Sequence, residues 1–359
     1  MKDLYNECSK AFNTKIIFHS DNFNFKKQFL KDNFLKNKKF QFIKTNHGKS
    51  NDNKTLLKSF SNQVKKIGFI LNKDKPSIIV LIGDRSETLA AAIAATQNQI
   101  PILHIHGGEV SFGSIDEKYR HCITKLSSFH LVSHSCYKKR LVQLGESNKS
   151  IRIIGSLSLD NFSKKKTNDR SDFFKKYKHI SKKFILVSIN SSLNDKEIKK
   201  ISNNMFSVLD RYKEIDKVVT YPNSDLHNYN ILKDIELRKK RGDYKIFKSL
   251  GTDYVNFLKH CYFMIGNSSS GIIEAPYFNK VFFCLGNRQN GRLYSKNSTI
   301  KIFKYQNIQK DIQKFINSKK KINADNLYYK KNAISNSIKF LKKINLLNVN
   351  YKKFVDLDF

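Results

Sequence analysis

The stretch IPILHIHGGEVSFGSIDEKYRH, residues 100–121, joins a short apolar strand to a helix through two histidines, two glycines and a glutamate. Side chains alternate along a strand, so His104 and His106 share a face if the strand runs on. An HxH pair is a metal-ligand spacing, and Glu109 or His121 would complete such a set. Gly107 and Gly108 suit another use, a turn where backbone comes close to a bound molecule. A buried, hydrogen-bonded histidine is also the commoner fate of a strand histidine. Just beyond, Asp116 and Glu117 fall in the first turn of a helix, where the dipole favours carboxylates. One turn on, Arg120 and His121 are spaced to hold a phosphate or to bias those carboxylates.

Two further loops carry comparable chemistry. In IGDRSE, residues 82–87, Asp84 and Arg85 stand at a strand end, and Ser86 is expected to cap the Ala-rich helix that follows. Asp84, Glu109 and Asp116 would converge from neighbouring strand ends. Several carboxylates in one site acquire separated pKa values, so that one serves as base and another as acid. In GNSSSGIIEAP, residues 266–276, Asn267, Ser268, Ser269, Ser270 and Gly271 open a helix. Backbone N–H groups and small hydroxyls at a helix start bind anions. Capping needs one serine; three in a row favour a ligand, the phosphate of a nucleotide, with Glu274 near enough to accept bonds from a ribose.

The elements that must position these loops alternate. Strands are expected at 14–19, 76–82, 100–105, 129–133, 151–155, 183–189, 216–221, 263–266 and 281–286, with helices at 86–97, 116–126 and 270–278. Short apolar strands alternating with helices imply α/β units with parallel sheets and right-handed crossovers. The polar run SKKKTNDRSD, residues 163–172, reads as a linker between a Rossmann-like domain over 1–162 and a second over 173–340, followed by a tail over 341–359. The chain from about 319 onward reads as one long helix. Ligands of open parallel sheets bind beyond the carboxyl ends of the strands, so two such halves imply a site in the cleft between them.

Composition narrows the function classes. A chain of 359 residues with 40% apolar content supports two cored domains. The net charge of +37 would suit nucleic acid, but the lysines are spread through the whole chain without a recognition motif. A solvated basic surface with an anionic small substrate is the favoured reading, without nucleic acid or membrane as partner. No apolar run reaches the ~20 residues that span a bilayer. Five dispersed cysteines with no CxxC pair suit a reduced, cytoplasmic protein.

Taken in order, GDRSE with LAAAIAA, HIHGGE, IDE-x-x-RH-x-ITKLS, PNSD at 222–225, FKSLG at 247–251, GNSSSGIIEAP and NRQNGR at 287–292 closely resemble the hydrolysing UDP-N-acetylglucosamine 2-epimerases of sialic acid biosynthesis. The resemblance runs from about residue 5 to 345. It implies a glycosyltransferase-B-type fold, two Rossmann-like domains facing a cleft, usually as a homodimer and without metal or cofactor. It also implies a UDP-sugar substrate. UDP leaves C1 as a base removes the C2 proton, and water then adds to the resulting glycal. By motif match, Asp84, Glu109 and Asp116 do the proton work. Arg85, His106, Arg120, Asn267, Ser268, Ser269, Ser270, Gly271, Glu274, Arg288 and Arg292 match positions that hold the substrate and its UDP.

Three departures go with the resemblance. The family's first strand and its Gly-x-Arg loop lack a counterpart ahead of MKDLYNE, which would leave the flanking strands unpaired. Asn190-Ser191 occupy the place of a His-Pro pair, and Asn287 that of an aspartate. Alternative readings are a 2-epimerase of UDP-2,4-diacetamido-2,4,6-trideoxyglucose, toward which His106 leans less than toward UDP-GlcNAc, and a sugar-nucleotide-binding remnant without catalysis.

Overall fold

The computed structural model describes residues 2–20, 39–44, 53–164, 167–192, 194–222, 228–318, 321–346, 349 and 352–356. Contacts divide the chain into two compact units. One comprises Met1–Glu109, Asp116–Asn161 and Lys330–Phe359; the other comprises Val110–Ile115 and Phe162–Tyr329. The chain thus leaves the first unit directly after Glu109, returns at Asp116, and comes back once more at Lys330.

In the first unit, β3 (Ile79–Ile82), β4 (Ile102–Ile105), β5 (Phe129–Val132) and β6 (Ile151–Ile153) form a parallel sheet in chain order. A separate parallel pair joins β1 (Ile16–Ser20) to β2 (Phe40–Lys44). Among the described residues β1 and β3 belong to different sheets. Alternation sorts the larger sheet into two cores. Ile79, Leu81 and Ile102 pack with Ile67, Ile70 and the alanines of helix Ser86–Gln97. Val80, Leu103, Ile105 and Leu131 pack with Leu4 and Cys8 of helix Lys2–Ala11 and with Ile334 and Ile338 of helix Ala333–Lys343. Helices thus cover both faces, which is why these strands read as continuous apolar runs rather than alternating ones.

The second unit holds six parallel strands: β7 (Phe184–Ser188), β8 (Asp216–Thr220), β9 (Tyr244–Phe247), β10 (Phe263–Gly266), β11 (Phe282–Leu285) and β12 (Thr299–Ile302). Their order is β12-β11-β10-β7-β8-β9. The winding runs outward from β7 to β9, then reverses and continues from β10, beside β7, to β12. The reversal makes the carboxyl ends of β7 and β10 a topological switch point, where splayed loops leave a crevice.

Several expectations need correction. β2, β9 and β12 were absent from the sequence reading; all three lie at sheet edges and carry charged or polar residues that break the apolar run. The tail is not one helix. Residues 321–332 are non-helical and belong in part to the second unit, where Tyr328 donates to Leu293 O at 2.7 Å and Ala324 N to Asn279 Oδ1 at 3.0 Å. The helix begins only at Ala333, because Asp160 accepts from the backbone N–H of Asn332 at 3.1 Å and of Ile334 at 3.0 Å. Residues 330–340, expected in the second domain, therefore pack in the first. All five cysteines are free thiols. Among the described residues no helix is long and apolar enough to cross a membrane.

Candidate functional site

In the first unit Asp84, Glu109 and Glu117 gather around one buried guanidinium. Arg120, on helix Asp116–Leu126, is 1% exposed. Its Nε donates to Asp84 Oδ2 at 2.9 Å and its Nη2 to the same oxygen. Its Nη1 donates to Glu109 O at 2.8 Å and to Glu117 Oε2. A buried cation needs this kind of neutralisation, and the planar fork supplies it to several acceptors at once. Arg120 therefore organises the carboxylates rather than standing open to a phosphate, as the sequence reading allowed. Glu117, expected in the first turn of that helix, is one of its ion-pair partners.

The HIHGGE segment does not continue as a strand. β4 ends at Ile105, and His106 takes a left-handed conformation with φ 73°, so His104 and His106 do not share a face. His104 is fully buried, with Nε2 2.9 Å from Gly83 O and Nδ1 3.5 Å from Thr124 Oγ1. Burial pushes its pKa down to about 3, so the ring is neutral. Both ring nitrogens thus have hydrogen-bonding partners inside the fold. Among the described residues no group of three or more His, Cys, Asp or Glu is arranged to hold a metal ion.

The turn instead aims Glu109. His106 Nδ1 lies 3.1 Å from Glu109 Oε1, and Ser133 Oγ donates to the same oxygen at 2.9 Å. Gly108, at φ 71°, is required: a Cβ there would stand 2.5 Å from Tyr137 O. Asp116 is half-buried in the first turn of the Arg120 helix. Together with burial, its charge raises the Tyr119 hydroxyl pKa. Arg85 is the N-cap residue of helix Ser86–Gln97 and makes no side-chain capping bond. Ser86 is inside that helix, not capping it, and Arg85 Nε and Ser86 Oγ each lie 3.3 Å from Glu87 Oε2.

In the second unit the other candidates line the switch point. Gly266 ends β10 at φ 139°, and a Cβ there would meet Ser188 O of β7 at 1.9 Å. That approach lets Asn267, fully buried, bridge the two loops: its Oδ1 accepts from Asn190 N at 2.7 Å and its Nδ2 donates to Asn190 O at 2.8 Å. Ser268 caps helix Ser269–Ile273 by accepting from Ser270 N. Ser270 Oγ donates to Glu274 Oε2 at 2.6 Å and also meets the Tyr254 hydroxyl. Gly271 lies against the Phe282 ring, which leaves no space for a Cβ. Arg288 Nε donates to Ser191 O at 3.0 Å, and Gln289 Nε2 to Asn267 O at 2.9 Å. Arg292 is buried. The 287–292 loop also holds Val110–Ile115, with Phe112 N donating to Asn290 O at 3.2 Å.

The family's sequence profile, described as UDP-N-acetylglucosamine 2-epimerase, matches residues 6–342. The chain belongs to the UDP-N-acetylglucosamine 2-epimerase family. The GDP/UDP-N,N'-diacetylbacillosamine 2-epimerase (hydrolyzing) of Campylobacter jejuni is 36% identical over 69% of this chain and 66% of its own length. Polysialic acid biosynthesis protein P7 of Escherichia coli is 30% identical over 98% of this chain and 88% of its own. A crystal structure of the UDP-GlcNAc 2-epimerase of Neisseria meningitidis bound to UDP-GlcNAc covers 96% of both chains with a TM-score of 0.77. At 18% identity this likeness speaks for the fold alone, two Rossmann-like units of glycosyltransferase-B type.

Against the family pattern, Asn190 keeps its backbone in the Asn267 bridge whatever its side chain. Asn287 Nδ2 donates to Glu197 Oε1 at 3.1 Å, and its backbone N at 3.3 Å. An aspartate at 287 would set two carboxylates against each other, so the amide fits Glu197. Most of the PNSD run, 223–225, lies outside the described residues. Missed by the sequence reading were Ser133, Tyr254, Gln289 and Glu197. Ser133 had a usable signal: it is the polar residue directly after β5.

Proposed function

We propose that this family member is a hydrolysing 2-epimerase of a UDP-activated 2-acetamido sugar. The C2 proton of such a sugar is not acidified by a carbonyl, so removal must accompany departure of UDP from C1. One carboxylate takes the C2 proton as the C1–O bond breaks, giving a glycal and UDP. Water then adds at C1 while a proton returns to C2 from the opposite face, releasing the free epimeric sugar. The observation that carries this reading is the set of carboxylates tied to Arg120: Asp84 and Glu117 through their side chains, Glu109 through its carbonyl. Asp84, Glu109 and Asp116 supply acid and base, with His106 and Arg85 beside them. Ser268, Ser269, Ser270, Gly271 and Glu274 receive the nucleotide, and Arg288 and Arg292 offset the charge of the leaving diphosphate.

Two sugars compete. The sequence motifs lean toward UDP-GlcNAc, giving N-acetylmannosamine. The Campylobacter relative, at 36% identity, supports the 2,4-diacetamido-2,4,6-trideoxy sugar. The test is NMR of each UDP-sugar with the protein in D2O. UDP release with one deuterium at C2 of the free epimer is expected for one of the two. UDP release without deuterium at C2 would refute the elimination route, and no turnover of either sugar would favour a binding protein without catalysis.

A further inference from the structure

The turn that presents Glu109 is built against β5 and the helix after it. His106 N donates to Leu131 O at 2.9 Å, which stitches the turn to β5 two residues before Ser133. Gly108 packs on Tyr137 O, and Arg140 Nη1 donates to Gly108 O at 3.3 Å. Both residues belong to helix Ser135–Gln143. The backbone is therefore held from one side, and from that side Ser133 Oγ donates to the carboxylate. Ser133 is 3% exposed and Glu109 6%, and their 2.9 Å bond is shielded from water.

We infer that Ser133 is a positioning residue for proton transfer, fixing one oxygen of Glu109 and aiming that carboxylate. The inference rests on the proposed role of Glu109. A hydrogen bond donated to a carboxylate favours its charged form, and at low dielectric the effect is larger than in water. Other groups near Glu109 include His106 on its own turn, Arg120 with its partners Asp84 and Glu117, and Cys136 on the helix following Ser133. Ser133→Ala removes one hydroxyl and none of these side chains, and His106 Nδ1 then holds that Glu109 oxygen without it.

The experiment is the pH profile of kcat and KM for wild type, Ser133→Ala and Glu109→Gln, with thermal melts confirming that each is folded. Ser133→Ala is expected to shift the acidic limb of kcat toward higher pH and to lower kcat near pH 6 by about tenfold, with KM nearly unchanged. Ser133→Thr, which keeps the hydroxyl, should restore the wild-type profile. If the alanine variant does not fold, Ser133→Thr and Ser133→Val, alike in shape, give the same comparison through their difference. An inactive Glu109→Gln beside a Ser133→Ala profile superimposable on wild type would overturn the role of Ser133 alone. A fully active Glu109→Gln would overturn the assignment of Glu109, and that of Ser133 with it.

Discussion

Arg120 and Asp84 lie 36 residues apart in the chain, yet two guanidinium nitrogens of the one meet a single carboxylate oxygen of the other. The pair joins the end of β3 to the helix after β4, so the geometry of the candidate carboxylates depends on a single buried cation. Arg120→Met leaves Asp84 and Glu117 without it and is expected to cost about 3 kcal/mol in urea unfolding. Arg120→Lys should recover part of that stability but little activity, because an ammonium does not reproduce the fork. Full activity in the lysine variant would refute the positioning argument.

His104 makes a pH prediction. Its folded pKa is pushed down to about 3 from 6.5 by burial. The unfolded chain therefore binds a proton that the native state refuses throughout that interval. The resulting contribution to stability is complete above pH 6.5 and is lost progressively as the pH falls toward 3. His104→Gln keeps an N–H for Gly83 O and removes the titration, so its denaturation midpoint should fall less steeply across the same range. Curves that remain parallel to wild type would contradict this. His130 is shifted in the same direction by burial, so the variant flattens the curve without abolishing its slope.

Lys352 binds the carboxyl end of the Arg120 helix. Its Nζ reaches the carbonyls of Thr124 at 2.9 Å, Lys125 at 2.9 Å and Ser127 at 2.6 Å, and Glu146 Oε2 at 2.7 Å. Burial would raise the pKa of Glu146, but bonds from His130 and Lys352 and their charges bring it down to about 2. Lys352→Met should cost about 2 kcal/mol, since it removes a charged donor from several buried acceptors. The check is the melting temperature, together with faster proteolysis after residue 350. An unchanged melt would show that Lys125, 3.0 Å from Glu146 Oε1, suffices alone.

Gly266 and Gly83 form a matched test of backbone constraint. Both have positive φ, 139° and 84°, but only at Gly266 does a Cβ collide with another strand. Gly266→Ala is expected to lose at least about 3 kcal/mol and UDP binding with it. Gly83→Ala, with nothing within 4 Å, should lose only about 1–2 kcal/mol. Equal losses would place the constraint in φ alone.

Central strands and helix starts were legible because burial on both faces leaves long apolar runs; helices Ser86–Gln97 and Asp116–Leu126 have the residue limits expected of them. Edge strands such as Tyr244–Phe247 were not, since one open side admits lysine into the run. Candidate residues such as Asp84 and Ser268 were picked out by their position after strands. What each one touches was not legible. One turn beyond Asp116, Arg120 was open to two uses, holding a phosphate or biasing the carboxylates. Only the crossing of β3 and the helix shows the guanidinium turned inward onto Asp84. Likewise the hydrogen-bonded fate favoured for the histidines was readable, but not that His106 would take φ 73° and leave the face of His104, a backbone choice that periodicity does not encode.

The cluster that unites Leu4 and Cys8 with Ile334 and Ile338 has a consequence for how the chain is made. The core of the first unit stays incomplete until helix Ala333–Lys343 has been made, because Ile334 and Ile338 cover the same apolar face of β4 and β5 that helix Lys2–Ala11 packs on.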